Sequence, residues 1–142
     1  MNAAAEHRFV LFPLGAKRFA LPAETVAELA RPDQLQSFPH VTPLLTGVLV
    51  RRGTIVPVCD IAPILVGNDR TPRKFYLIAS RHLDGATEQI ALPVTGECEL
   101  AVADLVPPTD KLPGHVTGLL TFGTEIIEVV DLEKLIGAEV TA

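Results

Sequence analysis

The chain states one pattern twice at a constant spacing of 71 residues. Arg18-Phe19-Ala20-Leu21-Pro22 leads to Glu28-Leu29, and Gln89-Ile90-Ala91-Leu92-Pro93 leads to Glu99-Leu100. The same shift carries Thr46-Gly47 onto Thr117-Gly118, and the apolar run ending at Asp60 onto the run ending at Asp131. One offset across three separate segments implies two copies of a small unit. In a chain of 142 residues each copy has about 65, near the lower limit for independent stability, so each copy is expected to lean on its twin.

Composition narrows what such a pair can do. Hydrophobic residues make up 48% and mean hydropathy is +0.34, enough for a real core and against wholesale disorder. Charged residues are only 20%, which leaves apolar surface for protein partners. The net charge is −5, and the basic residues come at most in isolated pairs such as Arg51-Arg52 and Arg73-Lys74, a poor basis for tracking nucleic-acid phosphates. Met1 to Arg8 is short and polar, unlike a signal peptide. The longest uncharged stretch, Gln34 to Val50, is broken by Pro39, Pro43 and Gly47, which argues against membrane insertion. A cytoplasmic location is the default expectation.

Local patterns predict strands. Phe9 to Leu14 and Arg18 to Leu21 form a hairpin about Gly15-Ala16, repeated by Lys74 to Ala79 and Gln89 to Leu92 about Asp84-Gly85. Pro22 and Pro93 should end the second strand of each hairpin, for want of an amide hydrogen. The segment Thr25 to Ala30 reads as a turn into a third strand. Thr54 to Cys59 and Glu125 to Val130 are β-branched and apolar on both faces, as expected of enclosed strands, with Pro57 marking an edge or bulge. The expected architecture is all-β and barrel-like, with a few short helical turns and a connector over 67–73.

The paired Asp60 and Asp131 invite an aspartic-protease reading, two carboxylates sharing a proton across a two-fold axis. Their contexts, Asp60-Ile61-Ala62 and Asp131-Leu132-Glu133, lack the Asp-Thr/Ser-Gly loop of that chemistry. Each Asp instead ends a strand, precedes a short apolar helical turn and is followed by Gly67 or Gly137, the pattern of an N-cap and a stop. A small β-barrel enzyme built on this pair is therefore the weaker alternative. His7, His40, His82 and His115 fall in the tail or loops without ligand spacing, which predicts no metal site. Ser37 and Ser80 lack a GxSxG setting, and no GxGxxG or Walker A is present, which predicts no enzyme and no cofactor. Cys59 and Cys98 lack CxxC spacing and are expected as buried, reduced thiols.

The segment from Gly47 to Ile61, Gly-Val-Leu-Val-Arg-Arg-Gly-Thr-Ile-Val-Pro-Val-Cys-Asp-Ile, resembles the signature of the CheW-like family, typically Gly-Val-x-Asn-Leu-Arg-Gly-x-Ile-Val-Pro-Val-x-Asp-Leu. Phe19-Ala20-Leu21-Pro22 with Val26-Ala27-Glu28-Leu29 resembles the family's aromatic-Ala-Leu-Pro and Val-x-Glu-Ile element, and Pro39 precedes Gly47 as it does there. The resemblance covers Phe9 to Gly137. One departure stands out: Val50-Arg51 replaces the usual Asn-Leu, while Arg52-Gly53 is kept.

The resemblance implies a single CheW-like domain over 1–142: two SH3-like five-stranded β-barrel lobes about a shared core, lobe 1 over 9–66 and lobe 2 over 74–137. It implies a non-catalytic adaptor that couples the cytoplasmic tip of a chemoreceptor to the regulatory domain of a sensor histidine kinase, in arrays beside the membrane. The related kinases add phosphotransfer and ATP-binding domains for which this chain has no room, so the expected likeness is to the stand-alone coupling protein. The alternative within the family is a scaffold for another two-component system, one governing pili or gliding. Receptor contact is expected in the groove between lobes, with Val26, Leu29 and Val50 apolar, and with Glu28 and Arg52 in mutual contact.

Overall fold

The computed structural model describes residues 7–31, 35–37, 45–67, 71–83, 85–106 and 111–140. Expectations resting on Pro39, His40, Pro43, Asp84 and the middle of the connector, 68–70, lie outside the described residues. The strands are β1 (His7–Leu14), β2 (Lys17–Pro22), β3 (Val26–Ala30), β4 (Leu35–Ser37), β5 (Leu45–Arg51), β6 (Thr54–Cys59), β7 (Phe75–Leu83), β8 (Ala86–Val94), β9 (Glu99–Ala103), β10 (Val116–Phe122) and β11 (Glu125–Val130). A 3₁₀ turn, Ala23–Thr25, joins β2 to β3, and the helices are α1 (Ala62–Val66) and α2 (Leu132–Val140). Among the described residues no helix is long and apolar enough to cross a membrane.

The fold is all-β, in two sheets. One has five strands in the order β10-β11-β2-β1-β9, and the other has six, β3-β7-β8-β6-β5-β4. Set aside β4 and the orders are the same list shifted by one repeat, with β10 for β5, β11 for β6, β2 for β8, β1 for β7 and β9 for β3. The parallel junctions obey the same shift, Val129↔Ala20 in one sheet and Val58↔Ala91 in the other. Each copy therefore gives its first hairpin to the sheet of its twin. This corrects the expected contiguous lobes 9–66 and 74–137, because both sheets draw on both halves of the chain.

Packing follows the symmetry. Ala20, Ala101, Leu120, Ile127 and Val129, with Phe9 and Leu11, fill the five-stranded sheet. Ala91, Ala30, Leu49, Val56 and Val58, with Tyr76 and Ile78, fill the other, position for position. Between them lies a larger shared core in which Phe12, Phe19 and Leu21 meet Ile90, Leu92, Val130 and Leu132. A polar pin crosses it: the Thr95 amide donates to the Pro13 carbonyl at 3.1 Å, and the Gly15 amide donates to the Thr95 hydroxyl at 2.9 Å.

Several local expectations need correction. Pro93 lies inside β8, because its missing amide falls on the side toward β6, where pairing is sparse. His7 and His82 sit on strands β1 and β7, not in the tail or a loop. Gly67 does stop α1, with φ of 70°, whereas α2 runs through Gly137 to Val140. The strands β6 and β11 are not enclosed along their length. Val56 and Ile127 point into the sheet cores, whereas the equivalent Ile55 and Ile126 on the opposite face are exposed at 67% and 66%.

Gly118 shows how tightly the five-stranded sheet closes on itself. The Val106 and Leu119 amides and carbonyls exchange hydrogen bonds at 2.7 and 2.9 Å, bringing the chain beyond β9 against β10. A Cβ on Gly118 would lie 2.5 Å from the Val106 carbonyl oxygen and 2.7 Å from Leu105 Cδ1. Gly118→Ala is expected to destabilise the protein by about 1–3 kcal/mol through overpacking. Gly114→Ala, with nothing within 4 Å of its Cβ, is the control and should be near neutral in urea denaturation. Equal midpoints for the two variants would mean that the sheet yields to the added methyl without cost.

Candidate interaction surface

The residues of the expected receptor site fall on β3 and on the β5–β6 hairpin. Val26 opens β3, half-buried against the shared core. Leu29 and Val50 are each 37% exposed, and Arg52 lies exposed in the turn after β5. None of the five lines the cavity between the two sheets, about 210 Å³, whose walls include Leu21, Ser80, His82, Thr117 and Asp131. Val26, Glu28, Leu29 and Val50 lie on β3 and β5 of the six-stranded sheet, with Val26 packed against the shared core, and Arg52 lies in the turn after β5.

The expected Glu28–Arg52 contact is replaced by Glu28–Arg51. Arg51 Nη2 donates to Glu28 Oε1 at 2.6 Å, joining β5 to β3, which are far apart in the strand order. The cause is hairpin parity. Arg52 and Gly53 have φ of 53° and 78° and form a two-residue turn, so Arg51 is the last paired residue of β5, opposite Thr54. Arg52 is carried into the turn, away from Glu28. It has no ion-pair partner among the described residues. The replacement of the usual Leu by Arg51 therefore supplies the clamp. The Arg51 Nε is buried without a hydrogen-bond partner among the described residues, so Glu28 is the carboxylate that compensates this guanidinium.

The twin of Glu28 is clamped as well. Arg18 Nη1 donates to Glu99 at 2.9 Å, while Nε and Nη2 donate to Glu125 at 3.2 and 2.5 Å. The Arg18 hydrogen bond holds the Glu125 carboxyl below its usual range, and these acids raise the guanidinium pKa in turn. The Glu125 contribution is accordingly present at neutral pH and lost as pH falls through its lowered pKa.

Asp60 and Asp131 serve their own helices. Asp131 is the N-cap of α2, its Oδ1 accepting from the amides of Glu133 and Lys134 at 3.0 and 3.2 Å. Asp60 stands one residue earlier relative to α1, where Ile61 is the N-cap. Its Oδ1 accepts from the Ala62 amide at 3.3 Å, and Arg73 lies 3.4 Å from its Oδ2. Asp131→Ala is expected to cost about 1 kcal/mol in equilibrium unfolding. No loss would mean that the α2 amides find water equally well.

Among the described residues no three His, Cys, Asp or Glu side chains are grouped to hold a metal ion. Cys59 is buried and Cys98 half-buried, both free, and burial pushes each thiol up to about 11. Strand patterning misses the exposed apolar residues. A signal for them exists in the repeat, since Ile55 and Ile126 share the 71-residue offset.

The structure is thus two interlocked SH3-like lobes, each with an ion-paired clamp and exposed apolar residues on its flank. The chain belongs to the CheW-like domain family, which matches over residues 8–140. It is 28% identical to the protein FrzA of Myxococcus xanthus over 145 aligned residues, covering 95% of this chain and 88% of that one. Its fold is similar to that of the scaffolding protein TtCheW of Thermoanaerobacter tengcongensis, with a TM-score of 0.75 at 20% identity, over 92% of this chain and 88% of the other.

Proposed function

We propose that this protein is a non-catalytic adaptor of a chemosensory array, acting in the cytoplasm to couple chemoreceptor tips to the regulatory domain of a sensor histidine kinase. Family membership over nearly the whole chain carries the reading. The receptor-facing surface comprises Val26, Glu28, Leu29, Val50 and Arg52. Support comes from their arrangement on one side of the six-stranded sheet, with half-exposed Leu29 and Val50 flanking the Glu28–Arg51 clamp and, in the turn beyond it, Arg52 without an ion-pair partner among the described residues. Apolar side chains ringed by one fixed cation suit the flank of a helical hairpin. Asp60 and Asp131 act as structural caps in this reading, and the division into domains is a single module with interlocked lobes.

Isothermal titration with a receptor-tip hairpin and, separately, with a kinase regulatory domain tests the proposal. Both are expected to bind with unit stoichiometry, and the kinase domain should still bind when the receptor fragment saturates the adaptor. Failure to bind either one, by folded protein, would sink the adaptor reading.

A further inference from the structure

Strands β6 and β8 run parallel and touch through one registered pair, Val58↔Ala91. The equivalent junction of β11 with β2 holds two, Glu128↔Phe19 and Val129↔Ala20. Beyond these pairs the junction in the five-stranded sheet is bridged by the chain's own side chains. Arg18 donates to Glu125, and Lys17 Nζ lies 3.5 Å from Glu128. Shifted by one repeat, Arg18 and Glu125 become Gln89 and Thr54, while Lys17 and Glu128 become Glu88 and Pro57. Neither replacement pair forms a salt bridge. The second junction stays open as a groove of about 580 Å³, lined by Val48, Thr54, Ile55, Pro57, Glu88 and Gln89 among others.

Main chain without a strand partner among the described residues faces this groove. The two-residue turn makes Arg51 and Thr54 a hydrogen-bonded pair, so Thr54 and Val56 direct their amides and carbonyls to β5, and Ile55 directs its own toward β8. The Thr46 hydroxyl, which reaches the Val58 carbonyl from the β5 side, obeys the same parity. Proline at 57 also fits, since its outward position would otherwise present an amide. On the facing wall, Gln89 shares the parity of Ala91 and turns its main chain to the same gap. Glu88 adds a fixed charge. The buried Arg81 places both Nε and Nη2 2.6 Å from Glu88 Oε1, and Oε2, which has no hydrogen-bond partner among the described residues, is an acceptor at the groove wall.

We propose that this groove docks an extended segment of a partner protein, which adds as a strand against β6 and β8. An apolar side chain of that segment packs beside Ile55 and Val48, and a Lys or Arg binds the free oxygen of Glu88. Strand addition uses main-chain hydrogen bonds for affinity and alternate side chains for specificity, and both are provided by this junction. Charge selects the occupant: the groove holds a carboxylate, and in the twin junction the carboxylates take basic side chains. The inference is independent of the receptor surface proposed above.

The probe is a short end-blocked peptide of alternating valine and threonine with a central lysine. Binding is read by fluorescence anisotropy and by the amide resonances of Ile55 and Gln89. Saturable binding is expected, and a peptide with central glutamate should bind about tenfold more weakly or worse. Thr54→Glu with Gln89→Arg installs the staple of the twin junction and should weaken the lysine peptide by about tenfold or more without lowering Tm. Equal binding of the two peptides overturns the proposal, as does undiminished binding by the stapled variant. The peptide comparison uses the unaltered chain, so it decides the matter even where the double variant fails to fold. Exchange protection of Ile55 and Gln89 in the dilute chain alone would mean that a segment of this chain already covers the groove. Protection that grows with protein concentration would mean a second copy. Either result overturns the partner assignment.

Discussion

Arg52→Gly is expected to raise thermal stability and, in the same protein, to weaken receptor binding. The stability arm comes from the backbone. Arg52 has φ of 53°, the only non-glycine residue among those described with positive φ. A side chain in that region costs about 1–2 kcal/mol relative to glycine, from the clash of Cβ with the neighbouring carbonyl. The twin turn shows the unstrained solution, with Gly123 at the equivalent position and φ of 64°. Relief of about 1 kcal/mol moves Tm upward by roughly 2–4 °C in a domain of this size. The binding arm comes from the side chain, exposed and without an ion-pair partner among the described residues. An arginine anchor at an interface contributes about 2 kcal/mol, roughly thirtyfold in affinity. Strain retained at one exposed residue is a known mark of functional positions. Arg52→Ala separates the arms, since alanine keeps the backbone strain: Tm should hardly move while affinity falls as far. Calorimetric scanning and titration with the receptor-tip hairpin read both. Unchanged affinity in a folded Arg52→Gly protein would remove this residue from the site.

The same turn marks the limit of what the residues disclose on their own. The strand bounds of β6 and β11 follow directly from β-branched runs between turn residues, and both hairpins are legible from Gly15-Ala16 and Gly85. The partner of Glu28 is not, because choosing between Arg51 and Arg52 requires the parity of a two-residue turn. Ile55 and Ile126 read as enclosed because a strand apolar on both faces has no pattern to say which face is left open. The hairpin exchange is hidden for a deeper reason. Ala20 and Ala91 are interchangeable in pattern, so nothing in their periodicity says whether β6 takes β2 or β8 as its neighbour. The length of the link after β2 makes that choice.

That length leads to the second large effect: neither half of the chain is expected to fold alone. A self-contained first copy would place β3 beside β1, as β9 lies there now. Ala101 sits opposite Phe9, and Phe9 sits opposite Pro22, so the twin residue Ala30 would come level with Pro22. Val26 would then lie four residues down the strand, about 13–14 Å, and two strand spacings across, about 9–10 Å. The resulting gap from Pro22 is about 16–17 Å, whereas four extended residues reach at most about 14 Å. The actual link is the 3₁₀ turn Ala23–Thr25, tightened further by the Thr25 hydroxyl donating to the Pro22 carbonyl at 2.8 Å. The third strand must therefore go to the other sheet, and the first hairpin must find its partners in the other copy. Separated halves would also divide the shared core, parting Phe12 and Phe19 from Ile90, Leu92, Val130 and Leu132. Each such side chain contributes about 1.5–3 kcal/mol by burial, so the six together, about 9–18 kcal/mol, are as large as a typical net stability of about 5–15 kcal/mol. Fragments 1–67 and 71–142 are each expected to show no cooperative melt by circular dichroism and narrow amide dispersion by NMR. Mixed in equal amounts they should form a one-to-one complex with the dispersion of the intact chain. A monomeric fragment 1–67 that melts cooperatively would show that the short link can be spanned, and link length would then no longer account for the exchange.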